Sequence, residues 1–139
     1  MSDPINHPEY YTKHSVSLEP ADLTGLLNSC IGQALQYLIR RKDKENEVQD
    51  IKKAIWWLNK FTQFAKETEH SLSITTDEFA QRVKVLVPLF MQRSNDEQVK
   101  NLLSIFNVHP YETCPYVGIE NLRLFIQDLE DYLELKKDA

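Results

Sequence analysis

Residues 28–58 read NSCIGQALQYLIRRKDKENEVQDIKKAIWWL, and this stretch decides the fold that the chain is predicted to adopt. Two runs in which apolar residues recur every three to four positions flank a short charged segment. They predict a helical hairpin, with one helix over about residues 20–41 and the other over about 46–66. The turn between them contributes the cations Arg40, Arg41, Lys42 and Lys44.

The first helix is predicted from an apolar stripe that follows a first-turn proline. Pro20 suits that position because a first-turn residue does not need its N–H group. The stripe consists of Leu23, Leu26, Leu27, Cys30, Ile31, Ala34, Leu35 and Leu38. Gly25 and Gly32 each weaken a helix by about 1 kcal/mol relative to alanine. Their presence indicates close approach by a ligand or, more commonly, by a neighbouring helix.

The second helix is predicted to begin at Asn46, with Gln49 as its capping-box partner. Its apolar surface is wider than a contact between two helices requires. This width predicts either the central helix of the domain or a contact with another subunit. The candidate interaction or oligomer surface consists of Trp56, Trp57, Phe61 and Phe64.

Residues 67–139 contain apolar periodicity for three more helices. Two of them are predicted to begin at capping boxes, Thr75 with Glu78 and Ser94 with Glu97. No convincing strand is evident. The sequence therefore predicts an all-α fold, in which the helical hairpin packs with three further helices in one domain of residues 1–139.

A proline interrupts the third helical pattern. Pro88 is expected to kink or end the helix near Val87, because its ring clashes with the preceding turn. Residues 83–89 would also suit a short strand, an alternative that stays open.

Length and charge limit the class of function. A chain of 139 residues suits one domain with a sizeable core. The net charge of -5 is uneven, because residues 1–66 carry 9 Lys/Arg and 8 Asp/Glu, whereas residues 67–139 carry 7 and 13. Such an acidic chain does not predict specific nucleic-acid binding. No apolar run reaches the length of about 18 residues that a membrane span needs.

The sequence lacks the common motifs for nucleotide and metal sites. With three glycines it contains no P-loop, and its four histidines do not have the spacing of metal ligands, so no metal site is predicted. Cys30 and Cys114 lie far apart in the sequence, and Cys30, on an apolar helical face, is expected to be a buried free thiol, which fits a reducing cytoplasm.

The hairpin turn is a candidate site for an anionic ligand. The start of a helix presents unpaired N–H groups that suit a phosphate, and nearby carboxylates could hold a hydrated Mg²⁺. Gly32, Gln36 and Arg40 form a polar stripe on the first helix. A solvated, charged hairpin tip explains the same pattern, and spacing alone favours that interpretation. The candidate phosphate-binding or nucleotide-binding residues are Arg40, Lys42, Lys44, Asp50 and Lys53.

Three blocks of the chain resemble a small family of bacteriophage proteins, most of them of unknown function. The blocks are DPINHP at 3–8 followed by Tyr10 and Tyr11, GQALQYL at 32–38 followed by Arg40, and EVQDIKKAIWWL at 47–58. The family pattern is roughly D-P-x-N-H-P-x-H-Y, then G-N-x-x-K-Y-x-x-R, then E-D-L-x-K-A-x-x-Y-L. The resemblance covers about residues 3–60 and does not extend to residues 70–139.

The resemblance implies two functions. One branch of the family looks like a nucleotide kinase that phosphorylates deoxynucleoside monophosphates without a P-loop, which would use ATP and Mg²⁺. Another branch makes a phage sensitive to an abortive-infection defence of its host. Tyr10, Gln33 and Gln36 depart from the family's histidine, asparagine and lysine, and the lost lysine weakens the kinase interpretation.

The sequence therefore leaves two hypotheses open. The first is a phage protein in the cytoplasm of the infected bacterium, which forms homo-oligomers and acts by protein–protein interaction with a host component, as target or trigger of an abortive-infection defence. The alternative is a P-loop-less deoxynucleoside monophosphate kinase or nucleotide-binding protein. Because Gln36 stands where the family has a lysine on the polar stripe, the sequence does not decide whether the protein is an enzyme.

Overall fold

The computed structural model describes residues 19–41, 46–110 and 114–137. In these ranges six α-helices cover Pro20–Thr24 (α1), Ser29–Arg40 (α2), Glu47–Thr62 (α3), Ala80–Arg93 (α4), Glu97–Ser104 (α5) and Ile119–Lys137 (α6). A 3-10 turn covers Asp77–Phe79, and short strands cover Ser71–Ser73 (β1), Phe106–Asn107 (β2) and Tyr116–Gly118 (β3). The mostly helical architecture confirms the predicted all-α class.

The predicted helix over residues 20–41 is wrong as a single element, because the chain forms α1 and α2 with a break between them. The Asn28 side chain accepts a hydrogen bond from the Cys30 N–H at 2.9 Å and so begins a new helix. The Asn28 N–H donates to the Ile74 carbonyl, and the Thr75 hydroxyl donates to the Leu26 carbonyl. Hydrogen bonds to a distant segment therefore replace the helical ones at this point.

Gly32 lies where α1 crosses close to α2. A Cβ atom at this position would be 2.7 Å from the Thr24 carbonyl oxygen. Gly32 therefore permits contact with a neighbouring helix. This is the commoner of the two explanations that the sequence allows for the glycine.

The α2–α3 hairpin is the largest helix–helix contact among the described elements. One hydrophobic cluster includes buried side chains from all six helices, such as Leu23, Leu35, Leu58, Leu102 and Leu129. The broad apolar surface of α3 is consistent with its position, because the helix contacts both α2 and α6. Asn46 precedes α3 as predicted, but its side chain makes no capping hydrogen bond.

The other two predicted capping boxes are also wrong. The Thr75 hydroxyl bonds to Leu26 and does not cap a helix. Helix α5 is capped by Asp96, whose carboxylate accepts hydrogen bonds from the N–H groups of Gln98 and Val99. Ser94 instead accepts a hydrogen bond from the Asp96 N–H at 3.1 Å.

Helix α4 continues through Pro88 to Arg93, so the helix does not end near Val87 and the alternative strand over 83–89 does not form. Pro88 is exposed, whereas Val83 and Val87 are buried in the core. Burial of this apolar face stabilises the helix enough to offset the hydrogen bond that the proline lacks.

The expected absence of strands is wrong, because β1, β3 and β2 form an antiparallel sheet in that order. Leu72 of β1 and Phe106 of β2 both pair with Val117 of β3, which is fully buried. Strands of two or three residues are too short to show an alternating pattern in the sequence.

Side chains from the second half of the chain tie the hairpin to the rest of the fold. Arg41 binds Asp96 just before α5. At the start of α3, Glu47 accepts a hydrogen bond from the Tyr132 hydroxyl of α6. Within the described ranges, no helix is both long enough and apolar enough to cross a membrane.

Candidate functional site

Arg40 and Asp50 meet where the two arms of the hairpin come together. Arg40 Nε lies 3.5 Å from Asp50 Oδ2. The Asp50 side chain is only 2% exposed, and its Oδ2 atom makes no hydrogen bond to any described residue, whereas the Arg40 side chain is 45% exposed. Because Asp50 also lies near the positive end of the α3 dipole, its charge is held by this ion pair and by the helix.

The ring of Tyr37 brings a second cation to this place. The Arg40 guanidinium carbon lies 5.2 Å from the ring centroid and the Lys53 Nζ atom lies 5.4 Å from it, both within cation–π range. Three of the predicted phosphate-site residues, Arg40, Asp50 and Lys53, therefore come together around Tyr37.

Two other members of that predicted site, Lys42 and Lys44, lie outside the described residues. The same applies to residues 3–8, which carry the first block of the family resemblance. Among the described residues, the site around Tyr37 is built from the C-terminal end of α2 and the first two turns of α3.

Arg41 belongs to the fold and not to the cationic surface of the turn. Its guanidinium makes two hydrogen bonds to the Asp96 carboxylate, at 2.5 and 2.9 Å, and a third to the Leu38 carbonyl at 2.6 Å. With 6% of its surface exposed, Arg41 cannot serve a ligand in solution while these bonds persist.

Two of the three residues in the polar stripe on α2 make contacts within the fold. Gly32 admits the backbone of Thr24, and the Gln36 amide donates to the Thr24 hydroxyl at 2.9 Å. Of the three stripe residues only Arg40 reaches the site around Tyr37. Gln36, which stands where the family has a lysine, thus binds Thr24 of α1.

The predicted aromatic surface divides into buried and exposed members. Phe61 is 2% exposed and belongs to the core, and Trp57 is half-buried against it. Trp56 and Phe64 are 57% and 58% exposed. The two tryptophan rings meet edge to face, with centroids 5.0 Å apart and an interplanar angle of 88°.

Trp56 lies among lysines on the outer side of α3. Lys52 and Lys53 precede it by one turn and Lys60 follows it by one turn, so all four side chains are neighbours on the helix surface. We call these residues, Lys52, Lys53, Trp56 and Lys60, the lysine–tryptophan face.

The acidic residues nearest to this face already have partners: Glu47 binds Tyr132 and Lys136, and Asp50 pairs with Arg40. Residues 51–66 contain no aspartate or glutamate. Within the described part of the chain, none of the three lysines forms an ion pair. The sequence already contains this indication of an exposed cationic face, because residues 51–66 lack acids. Apolar periodicity alone does not reveal it.

One open groove adjoins the lysine–tryptophan face, and a larger one lies elsewhere on the fold. The first, of about 430 Å³, adjoins the start of α3 and is lined by Asn46, Glu47, Val48, Gln49, Lys52 and Lys136. The hydrogen bond with Tyr132 and, second, the Glu47 carboxylate raise the pKa of the Lys136 ammonium group in this groove. A larger groove of about 810 Å³ lies between α4 and residues 104–110.

Histidine, cysteine and acidic side chains in the described ranges do not form a group of three or more that could hold a metal ion. Comparisons of the chain with protein-family models, with curated proteins and with solved structures found no match. The bacteriophage resemblance therefore stays a prediction, and the candidate site is defined by its geometry.

Proposed function

We propose that this protein acts by protein–protein interaction, binding a component of the bacterium that a phage infects, in the cytoplasm of that host. The phage origin and a role as target or trigger of an abortive-infection defence come from the resemblance of residues 3–60. The observation that carries the interaction itself is the exposure of Trp56, 57%, in the middle of the lysine–tryptophan face.

An exposed tryptophan surrounded by cations favours a particular kind of partner. Burial of a tryptophan at the centre of an interface contributes a large share of binding energy, especially when charged residues at the rim exclude water. Three lysines that form no ion pair within the described residues attract an acidic surface and increase the rate of encounter. The expected partner therefore presents carboxylates around an apolar side chain.

Capture from a bacterial lysate tests this proposal. The wild-type protein and two variants, Trp56→Ala and Val85→Ala, are immobilised, and retained proteins are identified by mass spectrometry. Val85 is the matched control, because it is 67% exposed but lies on α4. We expect one host protein that the wild type and Val85→Ala retain and that Trp56→Ala loses by about tenfold or more, as for an interface hot spot. Retention of the same proteins by Trp56→Ala, or of none by the wild type, would contradict the proposal.

A nucleotide is the second candidate ligand, favoured by the position of Arg40 and Lys53 around the partly exposed ring of Tyr37. Two cations can hold phosphates while an aromatic ring stacks on a base. This candidate comes second because Asp50 already pairs with Arg40, and Glu47 adds a further negative charge in the first turn of α3. A phosphate would meet these carboxylates as well as the cations.

Thermal unfolding with deoxynucleoside monophosphates, and with ATP and Mg²⁺, tests the second candidate. A ligand at a hundred times its dissociation constant stabilises the folded state by about 2.7 kcal/mol, which gives a clear rise in melting temperature. The rise should disappear in Lys53→Gln and persist in Arg82→Gln, whose site is on α4. An unchanged melting temperature with every nucleotide would exclude a tight site.

A further inference from the structure

The outer side of α6 carries a second unusual surface. Leu124 and Leu135 are 60% and 72% exposed, in contrast to the buried leucines on the inner side of the same helix. Residues spaced by three or four positions share one side of a helix. By this rule the two leucines share a side with Glu120, Asp128 and Asp131, and we call these five residues the acidic–leucine face.

None of the three cations of α6 forms an ion pair with this face. Arg123 lies one turn after Glu120 but makes no ion pair with it. Lys136 points to Glu47 and the ring of Tyr132, at 3.9 and 5.3 Å, and Lys137 bonds to Glu134 at 3.2 Å. Asp131 accepts a hydrogen bond from the neutral amide of Gln127 at 2.9 Å. Three carboxylates and two leucines thus face outward together.

The acidic–leucine face and the lysine–tryptophan face are complementary in charge and in apolar content. Three carboxylates can oppose three ammonium groups, and two exposed leucines can oppose one exposed tryptophan. From Lys52 to Lys60 the first face extends about 12 Å, and from Leu124 to Leu135 the second extends about 16 Å, at 1.5 Å per helical residue. These lengths suit a helix lying against a helix.

Both faces cannot meet within one chain. Helices α3 and α6 already contact each other within the fold. Their buried residues, such as Leu58 and Leu129, point into the shared core, whereas the two faces lie on the exposed sides. A second copy of the chain carries the complementary surface for each face.

We propose that the lysine–tryptophan face of one copy binds the acidic–leucine face of a second copy. This inference rests on the proposed function, because it assigns a ligand to the same binding surface and identifies its chemistry as an acidic helix with exposed leucines. A host partner with similar chemistry would compete with the second copy for Trp56.

A charge-swap experiment with purified protein tests the contact. Variant K52E/K60E makes both faces acidic, and variant D128K/D131K makes both faces basic. We expect wild type at about 100 μM in low salt to sediment as an assembly larger than one chain, as for a contact with a micromolar dissociation constant. Each variant alone should sediment as a single chain, and an equal mixture of the two should assemble again, because every contact between unlike variants pairs opposite charges.

The control is K66E/R82E, which changes the net charge by the same amount as K52E/K60E but lies outside both faces. It should assemble like the wild type, and circular dichroism should show that all variants fold. Assembly should also be lost at about 1 M salt, where charges are screened beyond about 3 Å. A wild type that sediments as a single chain, or variants that do not assemble on mixing, would overturn this proposal. Because no host component is present, that result would leave the capture experiment to decide the proposed function separately.

Discussion

Arg41 and Asp96 form a two-bond ion pair that joins positions 55 residues apart, and both side chains are largely removed from solvent, at 7% and 14% exposure. The same carboxylate caps α5, so a single aspartate links the hairpin to the second half of the chain. The pair holds residues 94–99 beside the C-terminal end of α2.

Removal of one member of this pair should strongly destabilise the fold. Arg41→Met removes the guanidinium from the Asp96 carboxylate, and we expect a loss of about 3–5 kcal/mol in the free energy of unfolding, as for other buried ion pairs. Urea denaturation followed by circular dichroism measures this loss. Arg41→Lys keeps the charge without the two-pronged geometry and should lie between wild type and Arg41→Met. Equal stability of all three proteins would show that the ion pair does not contribute.

Replacement of Gly32 by alanine should destabilise the protein, although alanine is the better helix former. In an open helix the change would stabilise by about 1 kcal/mol. Here the new Cβ would be 2.7 Å from the Thr24 carbonyl oxygen. Because this oxygen belongs to the backbone, it cannot move away without displacing α1. We expect a net loss of about 1–3 kcal/mol in the free energy of unfolding.

The control for Gly32→Ala is Gln33→Ala, at the next position of α2. Gln33 is half-buried, and its replacement brings no new atom against the backbone of α1. This variant should change stability by less than about 1 kcal/mol. A stability gain in Gly32→Ala would mean that α1 does not lie against α2 at this point.

The hairpin could be predicted from the sequence because long apolar periodicity determines it. The periodic residues of α2 and α3, such as Leu35 and Leu58, are buried as the pattern requires. The break between α1 and α2 could not be predicted, because it depends on hydrogen bonds from Asn28 and Thr75 to distant parts of the backbone. Helix caps were misplaced for a similar reason, since Asp96 serves an ion pair and a cap at once.

The candidate site was predicted only in part. The spacing of Arg40, Asp50 and Lys53 on two helices brought them together once the hairpin formed. Periodicity could not separate Phe61 from Trp56, because the wide apolar surface of α3 contains both, and only the packing of α2 and α6 decides which is covered. The ion pair of Arg41 could not be predicted from the sequence, because its partner Asp96 lies 55 residues away along the chain.

Trp56 should respond to ions according to its charged surroundings. In the variant Trp57→Phe only this tryptophan remains, and it lies next to three lysines. The quenching constants of iodide and caesium are each divided by their values for free N-acetyltryptophanamide. The relative constant should be higher for iodide, an anion, than for caesium, because the lysines concentrate anions near the ring. The difference between the relative constants should shrink in K52E/K60E. Equal relative constants in Trp57→Phe would show that the lysines do not surround the ring.

The thiol of Cys30 should react slowly with alkylating reagents. Burial raises the pKa of the Cys30 thiol, and Lys60 opposes the shift only in part. Since the thiolate is the reactive form, little of it exists near pH 8, and the reaction should accelerate as the pH rises beyond the ordinary thiol range. Mass spectrometry of the protein with iodoacetamide, native and in urea, measures both rates. A Cys30 that reacts as fast in the folded as in the unfolded protein would show that it is exposed.

The central claim is that Trp56 and its lysines bind an acidic partner. The most direct test is the dissociation constant of the host protein retained in the capture experiment, measured by isothermal titration calorimetry with wild type, Trp56→Ala and Val85→Ala at two salt concentrations. We predict that Trp56→Ala weakens binding by about tenfold or more, that Val85→Ala leaves it unchanged, and that added salt weakens binding of the wild type. Equal affinities for wild type and Trp56→Ala, with no dependence on salt, would contradict the account.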